Sequence, residues 1–345
     1  MAIVWDSLVR PADLTTFVRN VPIDQQYTLN SLFPDRLVND EEVNISDVTI
    51  TARTAKVRAF DAPPATIARD TFSRKKVKPL PVSVMLNQGE VDKRRLAVAQ
   101  ARGGSDASLI EAIYDDATTA TKAVQRRVEL MRGDLLADGK VTISNENGVT
   151  TEADFSVPAG NIATASTLWS DPAAPILDNL RTWSKAYRDL NGFAPGGIVM
   201  SEDSWYLMAA NDQIRGLYLG ANGNAATIVN EGQVDAALRA FRLPPIRLMY
   251  DAQTDVDGTL TRILPANKIF FVPPAGVELG FTAWALTVTG VQAAQAGQLT
   301  FGTAAGMVGV MDVNSAPPYQ EAVYVDSCPL PVLSNPRALA IFTVA

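Results

Sequence analysis

The stretch SLIEAIYDDATTATKAVQRRVELMRGDLLAD constrains the fold of this chain more than any other. Ser108 and Glu111 have the spacing of a capping box, and Gly139 stands where a helix would stop. Between them apolar residues recur at Ile110, Ile113, Ala117, Ala120, Val124, Val128, Met131 and Leu135. The spacing predicts one helix over Ser108–Asp138, about 31 residues and roughly 46 Å long at 1.5 Å per residue. That is long for an ordinary globular domain. Its single narrow apolar stripe, with Ile113, Val124, Val128 and Met131 as packing residues, predicts a helix laid across a sheet rather than surrounded by core.

The elements around it are shorter. Residues 1–42 carry Pro11, Pro22 and Pro34 among short apolar groups with no sustained period, which predicts an extended arm. Val43–Asp61 is rich in Val, Ile and Thr, a proline-broken tip follows, and Val77, Val82, Val84 and Leu86 alternate on the way back. A long two-stranded excursion is expected. Pro79 and Pro81 cannot donate ladder hydrogen bonds, so the return strand belongs at an edge or against another chain. Downstream, Asn147-Gly148 predicts a hairpin turn, Ser170-Asp171-Pro172 a helix start, and Gly192 the end of that helix. A strand and a short helix capped near Ser201 follow, then a strand pair joined by Asp257-Gly258 and a further strand. The uncharged run Leu279–Met311 contains Gln292, Gln295 and Gln298, costly in lipid, and is expected as strands and loops rather than a membrane span.

Several chemistries are excluded by what is missing. The 345 residues include no histidine, so no Ser-His-Asp, Cys-His or His-metal arrangement exists. Cys328 is the only cysteine, which rules out an intrachain disulfide. Asp251, Asp255 and Asp257 resemble a calcium loop, but aligning Gly258 to the loop glycine places Leu264 where the bidentate Glu belongs. A hairpin turn explains them better. Adjacent Asp115 and Asp116 do not face one another on a helix and are expected on a solvated face. No cofactor, metal or catalytic residue is assigned. The start, MAIVWDSLVRPADLTTF, has no basic segment ahead of a long apolar run, and no signal peptide is expected.

Charge is distributed unevenly. Between Thr51 and Arg102 there are 12 Lys and Arg against 4 Asp and Glu, a net of +8. The remainder has 18 against 33, a net of −15, within a total of −7. The densest part is Arg74, Lys75, Lys76 and Lys78, for which three explanations stand: contact with another acidic copy of this chain, a solvated loop, or nucleic acid. No aromatic residues interleave there to stack bases, and the rest of the chain would repel phosphate.

The order of elements, arm, basic hairpin, long helix, hairpin and α/β region, resembles the lambda-type major capsid proteins of tailed bacteriophages, which have the Hong Kong 97 capsid fold. The likeness extends over nearly the whole chain. It is carried by RKKVKPLPVSV, ATTATKAVQRRVELMRGDLLADGKVTI, SEDSWYLMAAND and YVDSCPLPVLSNPRALAIFTVA. The resemblance implies an α+β capsid fold with an N-terminal arm (1–42), an extended β-hairpin loop (43–92) and a peripheral domain with the spine helix and a hairpin (93–169). An axial domain (170–315) and a C-terminal return to the peripheral domain (316–345) complete it. It further implies a structural protein, not an enzyme, whose pentamers and hexamers form an icosahedral virion shell around double-stranded DNA without sequence-specific binding. Assembly in the host cytoplasm with a scaffolding protein, a portal and a decoration protein is expected, with no membrane involved. In such shells the extended loop crosses a neighbouring subunit, making Arg74, Lys75, Lys76 and Lys78 inter-subunit contacts. Some relatives crosslink a loop lysine to an Asn; Asn335 is present here, but the lambda-type branch is expected to use a decoration protein instead. An encapsulin-like shell with protein cargo and a carboxylate-dependent hydrolase are the competing functions, the latter weakened by the missing histidine.

Overall fold

The computed structural model describes residues 2–4, 9–40, 43–48, 72–90, 94, 98, 106–146, 148–218, 229–314 and 320–345. In chain order the strands begin β1 (Ala2–Val4), β2 (Asp35–Leu37), β3 (Val43–Val48), β4 (Phe72–Val77), β5 (Val82–Gln88), β6 (Lys140–Glu146), β7 (Val149–Asp154) and β8 (Ile162–Thr164). They continue β9 (Gly197–Met200), β10 (Ile246–Met249), β11 (Gln253–Val256), β12 (Thr259–Arg262), β13 (Lys268–Val272), β14 (Gly280–Ala285), β15 (Val308–Asn314), β16 (Gln320–Leu333) and β17 (Ala340–Thr343). The helices are α1 (Pro11–Asn20), α2 (Asp106–Asp138), α3 (Ile176–Asn191), α4 (Glu202–Ala210), α5 (Asp212–Arg215), α6 (Glu231–Ala240) and α7 (Val288–Gln295). The chain forms two compact units, one of Met1–Val43, Val77–Gly133 and Phe281–Val332, the other of Asn44–Lys76, Asp134–Gly280 and Leu333–Ala345.

The first unit is built on a sheet of order β1-β15-β16-β14-β2, with β5 also paired to β16. Here the N-terminal segment departs from the extended arm expected of it: Pro11–Asn20 is helical. Ten residues are too few for a self-sufficient helix in water, so the stability comes from the face it buries, Leu14, Thr15 and Val18. They lie on β15 at Gly309, where an added Cβ would stand 3.0 Å from Val18 and 3.1 Å from Leu14. The Thr15 hydroxyl donates to the Gly309 carbonyl and accepts from its N–H, each at 3.2 Å. Strand β1 reaches only Met311–Val313, so Thr15 satisfies the edge of β15 beyond it.

The two-stranded excursion is also corrected. β3 pairs with β4, but the alternation at Val82, Val84 and Leu86 belongs to β5, which joins β16 antiparallel, Val82 opposite Ser327 and Gln88 opposite Glu321. Pro79 and Pro81 interrupt the donor series between β4 and β5, so the chain changes partner there. The proline-broken tip expected ahead of them falls largely outside the described residues. The run Leu279–Met311 is not only strands and loops: Thr287 caps α7, its hydroxyl accepting from Gly290 N–H at 3.0 Å.

In the second unit the sheet order is β10-β9-β13-β17-β8, with β11–β12, β6–β7 and β3–β4 as separate ribbons. Trp169, Leu180, Trp183, Tyr187, Ile198, Phe271 and Phe342 form its core. Trp183 stacks on Phe342 with centroids 4.2 Å apart and planes at 6°. α3 ends at Gly192 (φ 77°) as expected, but starts at Ile176, after a turn in which Asp171 accepts from Ala173 N–H. Ser201 caps α4 through Ser204 N–H, and Asp257 (φ 51°) and Gly258 (φ 83°) turn the β11–β12 hairpin. Gly148 (φ 81°) lies in the β6–β7 turn; its neighbour Asn147 is outside the described residues.

The long helix runs Asp106–Asp138, beginning two residues before the expected Ser108, and the Ser108 side chain lies outside the description. Gly139 (φ 68°) ends it, its N–H reaching the Leu135 carbonyl. The last turn of α2 has no basic residue; Lys268 of β13 supplies that charge, donating to the Ala137 carbonyl at 3.0 Å and to Asp138 at 2.7 Å.

Candidate functional site

The basic residues lie on and just after a ribbon. Arg74, Lys75 and Lys76 are consecutive in β4, and Lys78 follows its end. The Lys76 and Lys78 side chains are exposed; those of Arg74 and Lys75 fall outside the description.

The four stripe residues of α2 are buried: Ile113 3% exposed, Val124 0%, Val128 1% and Met131 3%. Burial does not stay confined to a narrow stripe. From Val128 onward it spreads around the helix to Glu129, Arg132, Leu135, Leu136 and Ala137, so the later turns are enclosed.

Glu129 and Arg132 form a polar centre that the apolar pattern does not reveal. Arg132 donates to Glu129 Oε2 at 3.1 Å, to Asp35 Oδ1 at 2.7 Å and to Thr282 Oγ1 at 2.9 Å. Glu129 Oε1 accepts from Leu29 N–H at 2.8 Å. The Thr282 hydroxyl donates to the Phe33 carbonyl at 3.1 Å, and Trp284 Nε1 donates to Asp35 at 2.9 Å. Side-chain exposure is 3% for Arg132 and 1% for Glu129. One guanidinium thus joins α2, the segment Leu29–Asp35 and β14. A buried pair of this kind adds little net stability over apolar packing, but losing either partner is costly because it strands the other's charge. The available signal in the sequence was two charges, i and i+3, flanking Val128 and Met131 on an otherwise apolar face.

Further polar contacts secure the N-terminal segment within the same unit. Arg19, its guanidinium partly stripped of water and its pKa lowered by that burial, donates to the carbonyls of Met307, Thr303 and Ala305, each at 2.8 Å. Lys122 lies 3.0 Å and Arg126 3.5 Å from Asp24, and the Lys122 hydrogen bond is the main cause of a carboxyl held below the usual range. Gln125 donates to the Val21 carbonyl at 3.0 Å. Asp116 does more than face solvent: it accepts from Gln88 Nε2 at 2.9 Å, fastening the end of β5 to α2, while Asp115 is exposed.

Asp251 and Asp255, from the calcium-like run, have structural partners. Asp255 accepts from Gly258 N–H at 2.7 Å, and Arg262 bridges Asp203 at 2.7 Å and Asp251 at 3.5 Å. Cys328 has its thiol pKa pushed up to about 11, by burial first and by Asp326 second. Among the described residues no helix is long and apolar enough to cross a membrane. These arrangements hold segments in place; none pairs a nucleophile with a base.

The family model described as phage major capsid protein E matches residues 10–344. A protein described as a prophage capsid protein of E. coli CFT073 has a similar structure over 98% of this chain and 99% of its own, with a TM-score of 0.62 and 17% identity. A phage-related protein of Bordetella bronchiseptica RB50 is similar over 100% of this chain and 98% of its own, with a TM-score of 0.57 and 14% identity. At these identities the two structures speak for the fold alone. No curated protein matches the sequence.

Proposed function

The chain belongs to the phage major capsid protein E family, and from that premise we propose that its copies close into pentamers and hexamers of an icosahedral shell around double-stranded DNA. Its fold is the Hong Kong 97 capsid fold and its role is structural, as a subunit of the virion's shell. The observation that carries the proposal is the family match over residues 10–344. The charge division supports it: a segment of net +8 in a chain otherwise at −15 has its natural counter-charge on another copy.

In this proposal the extended loop is the part of residues 43–92 ahead of β5, and Arg74, Lys75, Lys76 and Lys78 touch the neighbouring subunit. Residues 1–42 form the arm, the first unit serves as the peripheral domain, and the second, which includes the C-terminal β17, serves as the axial domain. Ile113, Val124, Val128 and Met131 hold the spine helix, against which the arm is fastened through Glu129 and Arg132. The acidic remainder keeps the shell from binding the DNA it encloses. Scaffolding, portal and decoration proteins complete the assembly in the host cytoplasm.

Negative-stain microscopy of the overexpressed full chain, alone and with the scaffolding protein encoded beside it, tests this. Closed particles of uniform size are expected in at least one arm. Only soluble monomers in both arms would overturn the proposal.

A further inference from the structure

A cavity of about 270 Å³ is bounded by the end of α1 and the segment after it, by α2 and by β14, and all of its lining lies in the first unit. Its wall is mixed. Val21, Val128 and Trp284 are buried apolar side chains, while Arg19, Gln125, Asp35 and Arg132 bring polar groups to it. The two cations in the wall are met differently. Arg132 already faces two carboxylates, Glu129 at 3.1 Å and Asp35 at 2.7 Å. Arg19 donates through Nε and Nη2 to three neutral carbonyls, and among the described residues no carboxylate pairs with it and its Nη1 makes no hydrogen bond. Burial alone lowers its pKa, with no carboxylate acting the other way. A half-buried guanidinium held only by carbonyl dipoles keeps an unbalanced charge. A carboxylate in the same cavity would balance it, in a geometry that the guanidinium fork favours.

We propose that this cavity binds a small organic carboxylate, its charged end on Arg19 Nη1 and its apolar body against Val21, Val128 and Trp284. Volume sets the size. The cavity's 270 Å³ lies just under the range of about 300–1,000 Å³ for drug-sized sites, so a single ring or a short branched chain fits. Inorganic phosphate suits it less well, because it has no apolar body to cover the wall and its second charge would meet Asp35 more strongly. Once bound, the ligand would touch the segment after α1, the long helix and β14 together, fastening the N-terminal segment to α2. The inference does not depend on the capsid proposal, since the site is complete within one subunit.

Fluorine NMR of the unassembled full chain carrying fluorotryptophan is the test. The sequence has five Trp, and Trp284→Phe identifies the resonance of the one in the cavity wall. Phenylacetate is expected to move the Trp284 signal saturably, with a dissociation constant of about 1 mM or tighter. Phenylacetamide, the same body without the charge, should bind about tenfold or more weakly. A Trp284 signal unmoved by phenylacetate at about 20 mM would overturn the inference, as would equal binding of the acid and its amide. These two arms use the wild-type chain, so they stand even where a variant fails to fold. As a further measurement, Arg19→Gln, checked for its fold by circular dichroism, should bring phenylacetate down to the affinity of phenylacetamide. A folded Arg19→Gln chain that binds phenylacetate as wild type does would also overturn the inference. None of these results bears on particle formation, so the capsid proposal stands or falls separately.

Discussion

Replacing Arg132 by Met tests how the N-terminal segment is held. The substitution keeps most of the buried volume but removes all three donations, to Glu129, Asp35 and Thr282. Asp35 is nearly half exposed, with 46% of its side chain accessible, and water can replace its lost partner. Glu129, at 1%, is shut off from water and would lose the guanidinium that balances its charge. Removing one member of a buried pair costs about 3–5 kcal/mol. For 345 residues, at about 2.1 cal/mol/K of unfolding entropy per residue, that is a fall in thermal midpoint of roughly 4–7 °C. The companion variant decides the cause. Glu129→Gln in the Arg132→Met background removes the charge yet keeps an oxygen for the Leu29 N–H, so the double variant should recover about 2 kcal/mol or more of the loss. Urea unfolding of the unassembled subunit, followed by tryptophan fluorescence, measures both. A double variant as unstable as the single one, or a single variant within about 1 kcal/mol of wild type, would refute the argument from a desolvated charge.

Val128→Asp should place an unpaired charge on the enclosed face of α2 and sharply lower the yield of soluble, assembled protein; normal yield would show that this face is misassigned. Changing Arg74, Lys75, Lys76 and Lys78 together to Glu should leave the subunit fold intact by circular dichroism and abolish particle formation, because pairs worth about 0.2–1 kcal/mol each recur in every subunit. High salt should weaken wild-type assembly in the same direction. Cys328, with its folded pKa raised from 9.0 to about 11, should react with iodoacetamide near pH 8 about a hundredfold more slowly than in the unfolded chain, and should accelerate as pH rises toward 11. The sign follows from the raised pKa: the native thiol binds its proton more tightly, so its contribution to stability is present below pH 9 and fades as pH rises through 11. Mature particles boiled in detergent should run as single chains on a gel, a ladder of linked subunits being the contrary result.

What the sequence determined by itself is what depends on neighbours a few residues apart. The spine helix was legible because apolar spacing and a terminal glycine agree within one segment, and its start was misjudged by only two residues. The turns at Asp257-Gly258 and Gly192 were legible because their positive φ angles need those residue types. The basic stretch could be noticed in the sequence, but what it touches could not. Only the tertiary structure decided that Pro11–Asn20 is helical, since ten residues become a helix through the face they bury against Gly309. It also decided that β5 leaves the excursion for β16, because alternation gives a strand its faces but does not choose its partner. The centre at Arg132 shows the limit most clearly. Its partners Thr282 and Asp35 lie 150 and 97 residues away, and two charges on an apolar stripe become a structural joint only when folding removes their water and brings those distant groups to them.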